Sequence, residues 1–407
     1  MKKHLLILCL SFTSAFAFSQ WTIITTPTGV SLCGVNFTSA DTGYAVGDLG
    51  RIIKTVDAGV TWNVMPSGTI YMLYAVTFPD KNTGFAVGGD MDVPCSTILK
   101  SVDEGATWVG QSGGTTKSLF SVFFTNTMIG YAVGSDYWNP SGIILKTING
   151  GGSWFTVLLG TSSLKSVLFT DANTGYAVGA KDYNGCIIKT INGGMNWTYL
   201  THTLEHYLYG VHFPDSNTGY CVGESGFIIK TNDAGLTWTT LVTGISESLR
   251  AVYFTDTLTG YAVGTEGRII KTVDGGNSWC VQESGTTKHL YSVNFTDINN
   301  GYIVGQTGTI LKTTNGGDPN VGLNDSQGFA SRFKTYPNPI SDKFILETTG
   351  FTNNTHLSIS DLNGRQLIKR QITEPNTQID ITSLPSGVYF MRLMGERTVE
   401  TGKIIKQ

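Results

Sequence analysis

Charge is scarce in this chain. Asp, Glu, Lys and Arg make up 14% of its 407 residues, against about a quarter in an average soluble protein. The 27 basic and 30 acidic side chains leave a formal net charge of -3. No global field draws in nucleic acid or an anionic membrane surface, so no nucleic-acid partner is expected. Cysteine is sparse as well. Beyond Cys9 there are Cys33, Cys95, Cys186, Cys221 and Cys280, an odd number without a C-x-x-C spacing, which argues against a zinc site and a dense disulfide framework. They are expected to be buried, because each fills a position that other copies of an internal repeat give to Ala, Tyr, Thr or Val. After residue 20 there is no apolar run of 18 residues, so no transmembrane segment is expected once a leader is removed.

That leader is read in residues 1–19. Lys2 and Lys3 precede an apolar run from Leu5 to Leu10, and Ala17-Phe18-Ser19 offers a small-residue cleavage point. This is a signal-peptide pattern, and it places the mature chain outside the cytoplasm. Glycine, by contrast, is abundant: 50 of 407 residues, a turn-dense composition that favours β structure.

A repeat organises most of the sequence. TGYAVG or a close variant occurs seven times, with aromatic positions Tyr44, Phe85, Tyr131, Tyr176, Tyr220, Tyr261 and Tyr302 at spacings of 41 to 46. Each copy offers a strand of the LYAVTF type, a turn, the GYAVG strand, an IILKT strand, a D-G-G turn and a Trp-led fourth strand. Four short strands in about 40 to 45 residues are the mark of a β-propeller blade. Trp62, Trp108, Trp154, Trp197, Trp238 and Trp279 follow the first six copies, whereas the seventh has none. The missing Trp is Trp21, in WTIITTPTG. The N-terminal strand is therefore predicted to finish the seventh blade and close the ring, removing the sheet edges an open array would expose.

The turn before each Trp carries Asp57, Asp103, Asn149, Asn192, Asp233 or Asp274, and resembles the Asp box of sialidase-type propellers. Its chemistry is structural: Asp or Asn bonds nearby backbone and Gly accepts positive φ. Together, the GYAVG, IIKT and D-G-G-x-[ST]-W segments of residues 21–317 resemble the photosystem II stability and assembly factor family of seven-bladed propellers. A Lys shared by all seven third strands, from Lys54 to Lys312, reads as part of the blade, its stem packed and its ammonium reaching solvent or the Asp-box turn.

Past Gly317 the repeat stops. Residues 318–331 read as a linker, and 332–407 as short alternating strands of a small immunoglobulin-like β-sandwich. YPNP at 336–339, ISDLNGRQL at 359–367, LPSGVYFMRL at 384–393 and the closing KIIKQ resemble the type IX (Por) secretion C-terminal sorting domain of Bacteroidetes. That resemblance implies recognition by the type IX secretion machinery and a secreted or outer-membrane-surface location. The expected architecture is thus all-β: a signal peptide, a propeller at 20–317, a linker and a sorting domain.

Two groups are candidates for binding. The loops between strands two and three are enlarged in blades 2, 3 and 4, and bring Asp90, Met91, Asp92, Asp136, Tyr137, Trp138, Asp182 and Tyr183 to one side. Trp138 is the Trp that no repeat position explains. Exposed aromatics beside carboxylates suit a protein or glycan partner, and Asp90, Asp92 and Asp136 are hard oxygen ligands without a known cation-loop spacing. The second group follows Leu in the L-x-x-V segment of each inner strand: Cys33, Tyr74, Phe120, Lys165, Tyr209, Arg250 and Tyr291. It is read as channel lining or as a mixed aromatic and basic pocket. No cofactor is implied. A binding or scaffold role is expected. The alternative is a sialidase-like glycoside hydrolase, which needs three arginines around a substrate carboxylate, and the propeller region holds only Arg51, Arg250 and Arg268.

Overall fold

The structure is a computed structural model that describes residues 20–90, 93, 95–136, 141–160, 162–318, 333–348, 355–361, 366–394 and 399–407. The expected leader, residues 1–19, and nearly all of the expected linker lie outside these. The chain divides into two compact units, Met1–Val321 and Gly322–Gln407.

The first unit contains seven four-stranded antiparallel sheets. Blade 1 occupies 32–65, blade 2 72–111, blade 3 118–160, blade 4 162–204, blade 5 208–241, blade 6 249–282, and blade 7 290–313 with the N-terminal strand Thr22–Ile24. In that last blade Thr22, Ile23 and Ile24 pair with Lys312, Leu311 and Ile310. The ring closes as its sequence predicts, with the outer strand of blade 7 taken from the far end of the chain. The outer strands begin one residue beyond Trp, as in Asn63–Met65.

Each GYAVG strand is buried on both faces, and its two glycines show why the segment recurs. A Cβ on the first, Gly130, would meet the Phe124 ring at 2.5 Å, and that ring stacks on the aromatic residue of the neighbouring blade, Phe85, at 4.1 Å. A Cβ on the last, Gly134, would lie 1.9 Å from the Ser118 carbonyl oxygen. Trp then closes the layer edge-on: Trp154 meets Phe124 at 5.9 Å and packs with Phe85, Val87 and Ile98 of the preceding blade. Such edge-to-face pairs add to the area that aromatic burial removes from water.

The shared Lys has a definite partner. Tyr44 and Lys54 both donate to the Glu104 carbonyl oxygen, at 2.6 and 2.7 Å, in the Asp-box turn of the next blade. Tyr131 and Lys146 meet on the Gly193 oxygen at 2.7 Å each, and Tyr302 and Lys312 meet on the Ala58 oxygen at 2.7 Å each, bolting blade 7 to blade 1. Blade 2 has Phe85 at the aromatic position, so only Lys100 reaches Gly150. In blade 6 Lys271 pairs with the Asp318 carboxylate instead. Replacing Lys146 with Met keeps the packed stem but removes one charged donor. The expected loss is about 1 to 2 kcal/mol, read as a lower urea midpoint at unchanged m.

The Asp boxes sit on the face of the turns between strands one and two, as Ala58 N–H donating to the Asp41 carbonyl oxygen shows. Asp57 accepts from the Thr55 and Thr61 hydroxyls and the Thr61 N–H at 2.6 to 2.8 Å. These bonds hold its carboxyl down to about 2. Asp103 and Asp233 repeat the pattern.

All five described cysteines are free. Cys186 and Cys221 are buried, but Cys280 is exposed and Cys33 and Cys95 are half-buried, which corrects the expectation of general burial. Cys280 begins the outer strand of blade 6, beyond the packed layer between blades. The second unit is a sandwich of a three-stranded and a four-stranded sheet, whose facing residues, among them Phe344, Leu346, Leu357, Ile359, Tyr389 and Ile404, form one core.

Candidate functional site

The residues following Leu in the inner strands share a backbone device. In every blade the register with strand two slips at this position, between Leu32 and Gly34, Leu73 and Ala75, Leu119 and Ser121, Leu164 and Ser166, Leu208 and Gly210, Leu249 and Ala251, and Leu290 and Ser292. Each extra residue is a β-bulge, which re-aims a side chain and leaves it out of the ladder. The seven bulged residues are Cys33, Tyr74, Phe120, Lys165, Tyr209, Arg250 and Tyr291. All seven line one axial cavity. A repeated scaffold fixes where these side chains go and leaves their identity free.

The cavity combines rings with cations. Tyr74 meets Phe120 edge-on at 4.9 Å, Lys165 Nζ lies 3.8 Å from the Phe120 ring centre, and the Arg250 guanidinium lies 4.2 Å from that of Tyr209. The Tyr209 hydroxyl donates to Glu224 Oε1 at 3.0 Å, and Glu224 Oε2 accepts from the Tyr207 N–H at 3.3 Å. Burial first, and the Arg250 charge second, push the Lys165 ammonium down to about 8. Burial raises Tyr209 to about 12 and, with Asp48 adding to it, Cys33 to about 12. Both therefore stay protonated at neutral pH. The cavity therefore carries both signs of charge, Lys165, Lys181 and Arg250 beside Asp48, Asp136, Asp182 and Glu224, with Lys165 and Arg250 each lying over an aromatic ring.

The loop group meets the same cavity in part. The mouth widens to about 990 Å³ and is lined by Asp136, Asp182 and Tyr183 together with the bulged residues. Asp136 is paired with Lys117 and accepts from Ser141. Asp182 and Tyr183 form a tight turn at φ 49 and 64, with Tyr183 91% exposed. Asp90 ends its strand opposite Cys95 and does not line the cavity. Met91, Asp92, Tyr137 and Trp138 lie outside the described residues. Sequence reasoning missed Glu224 and Asp48, both at the cavity. Each is the first residue after a GYAVG-type strand, in the three-residue turns Asp48–Gly50 and Glu224–Gly226, whose sequences carry no sign of a site.

The three ring arginines do not converge. Arg250 is axial, Arg268 is bound to Glu247, and Arg51 lines a separate surface groove with Leu49, Val64 and Tyr71. No sialidase-type triad is assembled among them.

Comparison with known proteins agrees with this architecture. Residues 151–249 and 240–326 match the family model of the photosynthesis system II assembly factor YCF48, and residues 334–407 match that of the secretion system C-terminal sorting domain. The ring is similar to YCF48, and the tail to secretion sorting domains. YCF48 from Cyanidioschyzon merolae superposes at a TM-score of 0.60 with 19% identity, covering 72% of this chain and 98% of its own. A YCF48 bound to D1 peptide gives 0.61 and 18%, covering 73% and 97%. A GH74 enzyme from Niastella koreensis gives 0.58 and 15%, covering 95% and 74%. At these identities the likeness to YCF48 and to the enzyme is one of fold. No curated protein sequence matches the chain. The sorting domain implies export, and among the described residues no helix is long and apolar enough to cross a membrane.

Proposed function

We propose that the ring is a binding module, exported by the type IX secretion machinery through its C-terminal domain, that takes an anionic segment of a partner protein in the axial cavity. The observation that carries this reading is the placement of Lys165 and Arg250, each against an aromatic ring, on β-bulges that serve no ladder. A blade-stabilising residue would repeat from blade to blade, as the third-strand Lys does, whereas these seven positions hold five residue types. A YCF48 propeller binds a peptide, which supports a peptide over a glycan as occupant. The enzyme alternative draws support only from fold likeness to GH74.

The test is a screen of the mature protein against peptide and glycan arrays, followed by titration of the best binder. Lys165→Met and Arg250→Gln are each expected to weaken it about tenfold or more, the equivalent of about 1.4 kcal/mol. Affinity unchanged in both variants would rule the axial site out.

A further inference from the structure

Most of the ring's lysines are committed. Those of the third strands hold carbonyl oxygens or, for Lys271, a carboxylate, and Lys117 holds Asp136. Lys165 makes no hydrogen bond to a described residue. Its Nζ sits 3.8 Å from the centre of the Phe120 ring and faces the axial cavity, which it shares with Arg250 two blades away. Loss of water and the nearby guanidinium both favour its neutral form, and its pKa of about 8 leaves roughly a fifth of it unprotonated at pH 7.4. A desolvated lysine beside a second cation is the arrangement that turns an ammonium into a nucleophile for carbonyl compounds.

We propose that the axial cavity captures a small 2-oxo acid covalently, with Lys165 as the nucleophile and Arg250 as the seat of the carboxylate. The lone pair of Nζ adds to the keto carbon while the carbonyl π pair moves to oxygen. That oxygen takes up a proton and nitrogen gives one up, forming a carbinolamine. Loss of its hydroxyl with one further proton releases water and leaves an imine, so one C=O and one N–H₂ become one C=N and one H₂O. No oxidant or reductant is required. The proton passes through solvent between nitrogen and the departing hydroxyl. Hydrolysis reverses the capture.

The inference rests on the axial cavity being a binding site, and the test separates the two. The full mature chain is incubated with pyruvate and cyanoborohydride, which fixes any imine as a stable amine, then digested and mapped by mass spectrometry. The adduct is expected to concentrate on Lys165, with a yield that rises around pH 8 rather than above pH 10. Arg250→Gln is expected to lower that yield about tenfold. Lys165→Arg keeps the charge and removes the nucleophile, so it is expected to lose the adduct. An adduct spread evenly over surface lysines, or none on Lys165 while peptide binding persists, overturns covalent capture and leaves the binding module standing. If peptide binding also proves indifferent to Arg250→Gln and Lys165→Met, the cavity falls as a site altogether.

Discussion

Trp21→Ala is expected to lower stability by about 3 to 5 kcal/mol, the range for truncating a fully buried large aromatic. Trp21 has no exposed surface, meets Tyr261 and Phe295 edge-on at 6.2 and 5.9 Å, and donates from Nε1 to Gln282 Oε1 at 2.9 Å. It packs with Tyr261, Val263 and Ile269 of blade 6 and with Leu290, Ile303 and Leu311 of blade 7, so one side chain seals two blades. In a domain of this size about 2 °C accompanies each kcal/mol, and the melting temperature should fall by roughly 6 to 10 °C. Deleting residues 20–28 goes further. It removes the three pairs onto Ile310–Lys312 and turns that strand into an open edge, a template for pairing with another molecule. The truncated protein should melt earlier still and form larger species in size-exclusion chromatography. An unchanged melting curve for the deletion would mean that the ring is sealed without its N-terminal strand.

This closure was legible before any coordinates, because the absent seventh Trp and the unexplained Trp21 are two halves of one observation. The blade count and the sandwich in the tail were legible for a similar reason: strand periodicity and turn residues are local signals. What defeated sequence reasoning is contact between residues far apart in the chain. Gln282 looks like any outer-strand residue, yet its side chain accepts from Trp21 and donates to the Gly317 carbonyl oxygen at 2.8 Å. The third-strand Lys was readable as structural, but its sharing of one carbonyl with the Tyr of its own blade follows from how adjacent blades abut. The axial residues were found by position, since a variable residue beside an invariant Leu stands out. Their bulges, and the entry of Glu224 into the cavity, were not, because a register slip leaves no mark in a strand's own composition.

A second large effect is expected with acid. His212 lies on the inner strand of blade 5, against the Tyr253 ring at 4.9 Å, and its Nδ1 has no partner among the described residues. Burial alone pushes it from 6.5 down to about 4. In the unfolded chain the imidazole takes up a proton as pH falls through 6.5, while in the folded ring it stays neutral until about 4. The unfolded state binds more protons across that window, so stability is full above pH 6.5, falls between 6.5 and 4, and levels off below. The drop amounts to about 3 kcal/mol. His212→Leu is expected to flatten that window, since the equivalent position in blade 4 is already Leu168 and an apolar side chain fits there. The Asp-box carboxylates, held down to about 2 in Asp57, Asp103 and Asp233, lose their contribution only below about pH 3.8, so their acid limb should survive in the variant. Urea titrations at pH 7, 5 and 3 distinguish the two groups. A wild-type midpoint that is level from pH 7 to 5 would show that the imidazole is hydrated in the folded ring, and an equal fall in His212→Leu would assign the sensitivity to other residues.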